Sequence, residues 1–285
     1  MLNMAQRNLK LFFRDKAAVF FSMLAVFIII GLYVLFLGDM LVSDLDEMGE
    51  GARSVIDSWI MSGVLAVTAI TTTMGAFGIM VEDRSKNVLK DFYSSPIKRS
   101  SLAGGYIISS FAIGCIISVL TLILAEIYIV AYGGQLLTVL ALLKVLGIIL
   151  LSVLSGSAMV FFIVTFFKSQ NAYTTAGTIV GTLIGFITGV YIPIGSLPSA
   201  VQFIVKIFPV SHAASLFRQV MMEEPLAFTF ANAPVETVRS FEEAMGVTFQ
   251  YGGTTINMLT SIGVLLLTTV VFYGLAIINI SRKGK

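Results

Sequence analysis

Charge is scarce in this chain. Asp, Glu, Lys and Arg make up 12% of its 285 residues, about half the share of a soluble domain. Cysteine is nearly absent: Cys115 is the only one, inside an apolar run, so no intrachain disulfide can form. Histidine is also single. His212 has no neighbouring set of metal-ligating residues, which argues against a metal centre. Ser211 beside it does not make a catalytic pair, because sequence neighbours rarely face each other and no G-x-S-x-G turn occurs. No G-x-x-x-x-G-K-[ST] stretch occurs, so ATP binding through that loop is excluded. Basic residues do not interleave with aromatics as nucleic-acid binding requires. Finally, the N-terminus lacks a signal-peptide layout. The first apolar run is 22 residues long with no small-residue cleavage site after it, and reads as a retained span.

Apolar residues, in contrast, make up 57% of the chain, and the mean hydropathy is +0.95. Such values over this length imply several membrane spans. The fold expected is an all-α membrane protein with six transmembrane helices, at 17–38, 59–81, 107–131, 145–167, 174–191 and 256–280. The fifth is the shortest. Of the eighteen basic residues, thirteen fall in 1–16, the 82–106 loop, Lys168 and the C-terminal tail, while 39–58 holds six acids and only Arg53. The positive-inside rule then puts both termini in the cytoplasm.

Residues 1–16 place Leu2, Ala5, Leu9, Phe12 and Phe13 on one helical face and Asn3, Arg7, Lys10 and Arg14 on another. This suits an interfacial helix with its cations toward anionic lipid. It either anchors the chain or meets a partner. In the fifth span, Gly177, Gly181, Gly185 and Gly189 recur every fourth residue beside Thr174, Thr178 and Thr182. Small residues at this spacing let helices pack closely in lipid; the stripe, with Thr71, Thr72 and Thr73 of the second span, is also a candidate pathway or dimer interface.

Five of the six prolines lie from Pro193 to Pro234. Within 193–224 two apolar pieces flank Pro209, each too short to cross a bilayer, which predicts a re-entrant hairpin entering from outside. Ser211 is the expected N-cap of the second piece, and His212 a polar residue of the hairpin. In the external segment 225–255, "VETVRSFEEAMG" reads as a short helix closed by Gly246. An acid inside a span, Glu126, is costly unless paired or facing a polar cavity. Two readings are open: structural pairing, with Lys144 as partner or by snorkelling, and a transport-path role.

Between the second and third spans, "EDRSKNVLKDFYSSPIKRSS" carries Val88, Leu89, Phe92 and Tyr93 on one face of a helix over 82–94, against Asp83, Arg84, Lys86, Lys90 and Asp91. Ser95-Pro96 then marks a new helix start. Such a helix either rests on the inner leaflet or turns one face to a soluble partner.

These features together resemble the type-2 permease family of ATP-binding-cassette transporters. The matching elements are Glu82 after the second span, Val88-Leu89, Ser95-Pro96 and Lys98-Arg99 before the third, the basic "RNLKLFFRDK" and the hairpin "FPVSHAASLFRQVM". Lys86-Asn87 departs from the Gly-Thr pair of many members, and 225–255 is longer than in the simplest. The resemblance implies a permease subunit with no catalytic, cofactor or metal residues of its own. ATP and Mg would sit on a separate ATPase subunit. A second permease copy, identical or paralogous, would complete the pathway in the bacterial cytoplasmic membrane. Glu82, Arg84, Val88, Leu89, Phe92 and Tyr93 would form the ATPase-coupling helix. Thr71, Thr72, Thr178, Gly181 and Gly185 would line the pathway or dimer interface. Export of a drug, antibiotic, peptide or lipid-linked compound is the expected activity. The competing expectation is an ion-driven secondary transporter using Glu126, against which stands the lack of an inverted repeat.

Overall fold

A computed structural model of the chain describes residues 1–43, 51–94, 99–252 and 254–282. The expected helix start at Ser95-Pro96, with Lys98, lies outside the described residues. The chain begins with α1 (Leu2–Arg14) and α2 (Lys16–Leu32), and α2 passes through a π-helical turn at Tyr33–Leu37 into α3 (Gly38–Ser43). Then come α4 (Ala52–Ser85), α5 (Val88–Tyr93), α6 (Arg99–Ala131), α7 (Val139–Val164) and α8 (Gln170–Ile187). The hairpin helices α9 (Ser199–Ile207) and α10 (Pro209–Met221) precede α11 (Glu223–Thr229), α12 (Val235–Met245) and the final α13 (Met258–Arg282). Ahead of α13, β1 (Gln250–Tyr251) pairs antiparallel with β2 (Thr254–Thr255).

Among the described residues, five helical stretches are long and apolar enough to cross a membrane: Lys16–Leu35, Ala52–Ser85, Ser100–Ala131, Val139–Val164 and Met258–Ile280. The chain is a multi-pass, mostly α-helical membrane protein. α8 is the exception to the six expected spans. It lies at Gln170–Ile187, 18 residues, earlier than 174–191. Gln170, Asn171, Thr174, Thr175, Thr178 and Thr182 make it the least apolar of the set. It runs antiparallel to α4: the Tyr173 hydroxyl donates to the Met74 carbonyl at 2.6 Å, and Val190, just beyond the other end, packs on Gly63.

α4 is the axis of the bundle. At 34 residues it is about 50 Å long, and α2, α6, α7, α8 and α10 pack around it. Val55, Ile56, Trp59, Ile60, Met61, Val64 and Leu65 are fully buried there. α9 and α10 bend by 84° at Phe208-Pro209. Pro209 opens α10 with its ring, since the missing N–H has no intrahelical partner at that position. The expected N-cap Ser211 is instead inside α10, where its hydroxyl donates to the Ile187 carbonyl and ties the hairpin to the end of α8. α12 forms where a short helix was expected, and Gly246 closes it at φ 68°.

Two further expectations change. The helix over 82–94 is not continuous. α4 runs on to Ser85, a turn at Lys86-Asn87 follows with Asn87 at φ 62°, and α5 contains only six residues. A left-handed Asn ends the long helix because that residue tolerates the conformation better than most. In α1 the buried face is Met4, Ala5, Asn8 and Phe12, packed on α6, while Leu2 and Phe13 are exposed.

Candidate functional site

The end of the bundle bearing α5 is organised by Asp83, in the last turn of α4 and 5% exposed. Its carboxylate accepts from Arg7 Nη1 at 2.7 Å and Nη2 at 2.8 Å, and from the Tyr106 hydroxyl at 2.6 Å. One carboxylate thus joins α1, α4 and α6. A forked guanidinium meeting both oxygens is the strongest geometry such a pair can take. The hydrogen bond to Asp83 raises the Arg7 pKa further above its ordinary range. Arg7 also donates to Asn8 Oδ1, and the buried Asn8 amide donates to Ser109 Oγ at 3.2 Å. The Arg7 cation was expected to face lipid headgroups; it turns inward because Asp83 offers a fixed counter-charge.

α5 hangs from this brace. The Arg7 guanidinium lies 5.5 Å from the Phe92 ring centre, a cation–π distance. Leu89 is buried, and Phe92 and Val88 are half-buried. Leu89 and Phe92 belong to the chain's own core. Arg84 donates to the carbonyls of Phe167 at 2.6 Å and Val164 at 3.2 Å, fastening α4 to the end of α7. Glu82 and Lys86 pair at the surface, and Lys90 is exposed. The side chain of Tyr93 lies outside the described residues. So Leu89 is not free for an outside partner; Glu82, Lys86 and Lys90 are among the side chains presented.

The candidate lateral face lies on α4 and α8. Thr71, Gly75 and Gly78 share one face of α4 at helical spacing. Gly75 is exposed, with Ser22 of α2 beside it, and Gly78 borders Tyr173 of α8. The strip therefore opens between α2 and α8. Thr174 and Thr178 of α8 are exposed, and Gly181 has nothing within 4 Å of the position a Cβ would take. Two of the expected members are buried within the chain itself. Thr72 is fully buried. Gly185 is buried too, and the space a Cβ would need is filled by the Tyr191 ring. At the far end, the Tyr33 hydroxyl of the π-helical turn donates to the Val190 carbonyl just past α8 at 2.7 Å.

The opposite end of the bundle holds Glu126, Asp57 and His212. Glu126 does not pair with Lys144. Its Oε2 accepts from the Leu137 backbone N–H at 3.0 Å, while Lys144 reaches Glu223 at 3.6 Å. Both glutamates and Lys144 line a cavity of about 770 Å³ between α4, α6, α7 and α11. Asp57, buried, accepts from the Tyr128 hydroxyl and from Arg53 Nε, both at 3.2 Å. His212 is buried, its Nδ1 3.1 Å from Ser261 Oγ and its Nε2 donating to the Lys206 carbonyl at 2.9 Å. It joins α9, α10 and α13 as a structural link.

Arg218 is fully buried. It donates to the Thr188 carbonyl at 2.8 Å and lies 4.9 Å from the Trp59 ring centre. Gly246 gives it room: a Cβ there would sit 3.1 Å from Arg218 Nη1. Asp83, Asp57 and Arg218 were missed as structural centres because each sits in a stretch that reads as loop or hairpin. The i, i+4 spacing of Arg53 and Asp57 was the one visible signal.

Among the described residues no group of three or more His, Cys, Asp or Glu is placed to hold a metal ion. A search of curated proteins returns no match. A family model described as ABC-2 family transporter protein matches residues 42–278, most of the chain, and the chain belongs to that family.

Proposed function

We propose that this ABC-2 family member is the membrane subunit of an ATP-driven exporter, with both termini cytoplasmic. A separate ATP-binding-cassette ATPase, carrying ATP and Mg, docks at the end bearing α5. A second permease copy, identical or paralogous, packs against the α4–α8 face. The compound moved is hydrophobic or amphiphilic and leaves the cytoplasm or the inner leaflet of a bacterial cytoplasmic membrane.

The observation that carries this reading is the Asp83 brace. A push on α5 reaches Arg7 through Phe92 and reaches α4 through the Lys86-Asn87 turn. From Asp83 it passes directly to α1 and α6. A short helix seated where a forked ion pair and a hydrogen bond join three longer ones suits the transmission of a force from a soluble motor. The surface side chains Glu82, Lys86 and Lys90 supply the contact, while Leu89 and Phe92 hold α5 to its own subunit. The open strip Thr71, Gly75 and Gly78, flanked by Thr178 and Gly181, supports the dimer or pathway assignment, because small residues permit close helix approach in lipid.

The test separates docking from folding. Lys86→Glu combined with Lys90→Glu reverses the charge of the presented surface without touching the core. Co-purification with the co-expressed ATPase should fall roughly tenfold, the effect of about 1.4 kcal/mol, and substrate should no longer stimulate hydrolysis. The monomer should keep its detergent stability. Undiminished co-purification with normal stimulation would sink the docking assignment.

A further inference from the structure

The cavity at the end of the bundle away from α5 is unused by this reading. Its volume, about 770 Å³, lies within the range of small-molecule sites. Two observations say what would fill it. First, its charge is unbalanced. Lys144 is taken by Glu223, and among the described residues neither Glu126 nor Glu224 forms an ion pair. Glu126 Oε1 is buried with no hydrogen-bond partner, although its side chain lines the cavity. A buried acceptor without a donor is costly, and a bound ammonium would supply both donor and counter-charge. Second, the rim is apolar. Leu136, Leu140 and Phe228 line the cavity and are at least 65% exposed. They belong to, or adjoin, the lipid-length helix α7 and the short α11. A ligand that satisfies both has an ammonium head and a hydrocarbon chain.

We propose that this cavity is a binding site for an ammonium-bearing amphiphile, with Glu126 taking the ammonium and Leu136, Leu140 and Phe228 the chain. The same chemistry is offered by the amino headgroup of a membrane lipid and by a free long-chain amine. The site is independent of ATPase docking, and its test requires no hydrolysis.

Full-length protein in phosphatidylglycerol nanodiscs, which contain no amine lipid, is illuminated with diazirine-bearing dodecylamine, dodecanol or phosphatidylethanolamine. Labelled peptides covering 133–141 and 220–228 are quantified. The amine should label these segments at least fivefold more than the alcohol. Glu126→Gln should remove that excess, Glu126→Asp should keep part of it, and Ala141→Phe, which fills the cavity, should abolish it. In the wild-type protein, unlabelled dodecylamine should displace the probe and dodecanol should not; this arm holds even if a variant folds poorly. Glu126-dependent labelling by the phosphatidylethanolamine probe identifies a lipid headgroup, and its restriction to dodecylamine identifies a free amphiphile. Equal labelling or equal competition by amine and alcohol overturns the proposal, as does labelling by amine that Glu126→Gln leaves unchanged in a folded protein.

Discussion

Asp83 is the residue on which the α5 end depends. It is nearly buried, so removing its charge leaves the Arg7 guanidinium facing a neutral amide and takes an acceptor from Tyr106. Breaking a buried pair by one partner typically costs about 3–5 kcal/mol. Arg7 is a third exposed and recovers some solvation, so Asp83→Asn should cost about 2–3 kcal/mol. Denaturation of the purified subunit in mixed micelles would measure this. Arg7→Met with Asp83→Asn should cost less than the sum of the two single changes by about 1 kcal/mol or more, the sign of direct coupling. Arg7→Lys should fall between, because an ammonium cannot make the two parallel bonds. Additive losses would show that the pair contributes nothing as a pair. None of this was visible in the sequence. Arg7 looked like one of three cations on a helix face bound for lipid, and its partner is 76 positions away.

At the scale of elements, α5 shows how a pattern can be read correctly and assigned to the wrong neighbour. Val88, Leu89 and Phe92 do form an apolar face, but Leu89 and Phe92 enter the chain's own core. Leu89→Ala should therefore cost about 2–4 kcal/mol, typical of a buried leucine, and free α5 from the bundle. Limited proteolysis should then cut between 86 and 94, whereas Lys90→Glu should leave both stability and cleavage unchanged. An unchanged melting point for Leu89→Ala would show that its burial carries no energy. The neighbouring α8 gives the reverse case. Its glycine spacing reads as one uniform interface, yet Gly181 is open and Gly185 is filled by Tyr191. Spacing puts residues on one face, but cannot say whether a later segment of the same chain folds back to cover part of it.

At the scale of the whole molecule, the bundle has one end built around Asp83 and another built around the α9–α10 hairpin, Arg218 and the Glu126 cavity. If the α4–α8 face joins two copies, single cysteines in a Cys115→Ser background should report it. Thr178→Cys and Gly181→Cys should cross-link the protein as a dimer in membranes, and Gly185→Cys should not. Cross-linking at Gly185 alone would place the interface elsewhere. In the same background, Thr237→Cys on α12 should react with an impermeant thiol reagent from outside intact cells, and Asn87→Cys should not. The opposite labelling would invert the orientation and remove α5 from reach of a cytoplasmic ATPase.

The sequence alone determined what depends on local composition and period: a multi-pass helical membrane protein, the approximate place of each long apolar helix, the break at Pro209, and the α12 helix closed by Gly246. These follow from hydropathy over about 20 residues and from residues with fixed backbone preferences. The tertiary structure decided everything that depends on which distant residues meet. It turned Arg7 from lipid to Asp83, took Lys144 from Glu126 and gave it to Glu223, and moved Ser211 from cap to tether. It also sank Leu89 into its own subunit and split one expected helix into the end of α4 and a six-residue α5. The physical reason is the same in each case. A polar group is held by whichever partner lies within hydrogen-bond or ion-pair reach, and an apolar one by whichever core it can enter; both are set by how helices far apart in the chain pack.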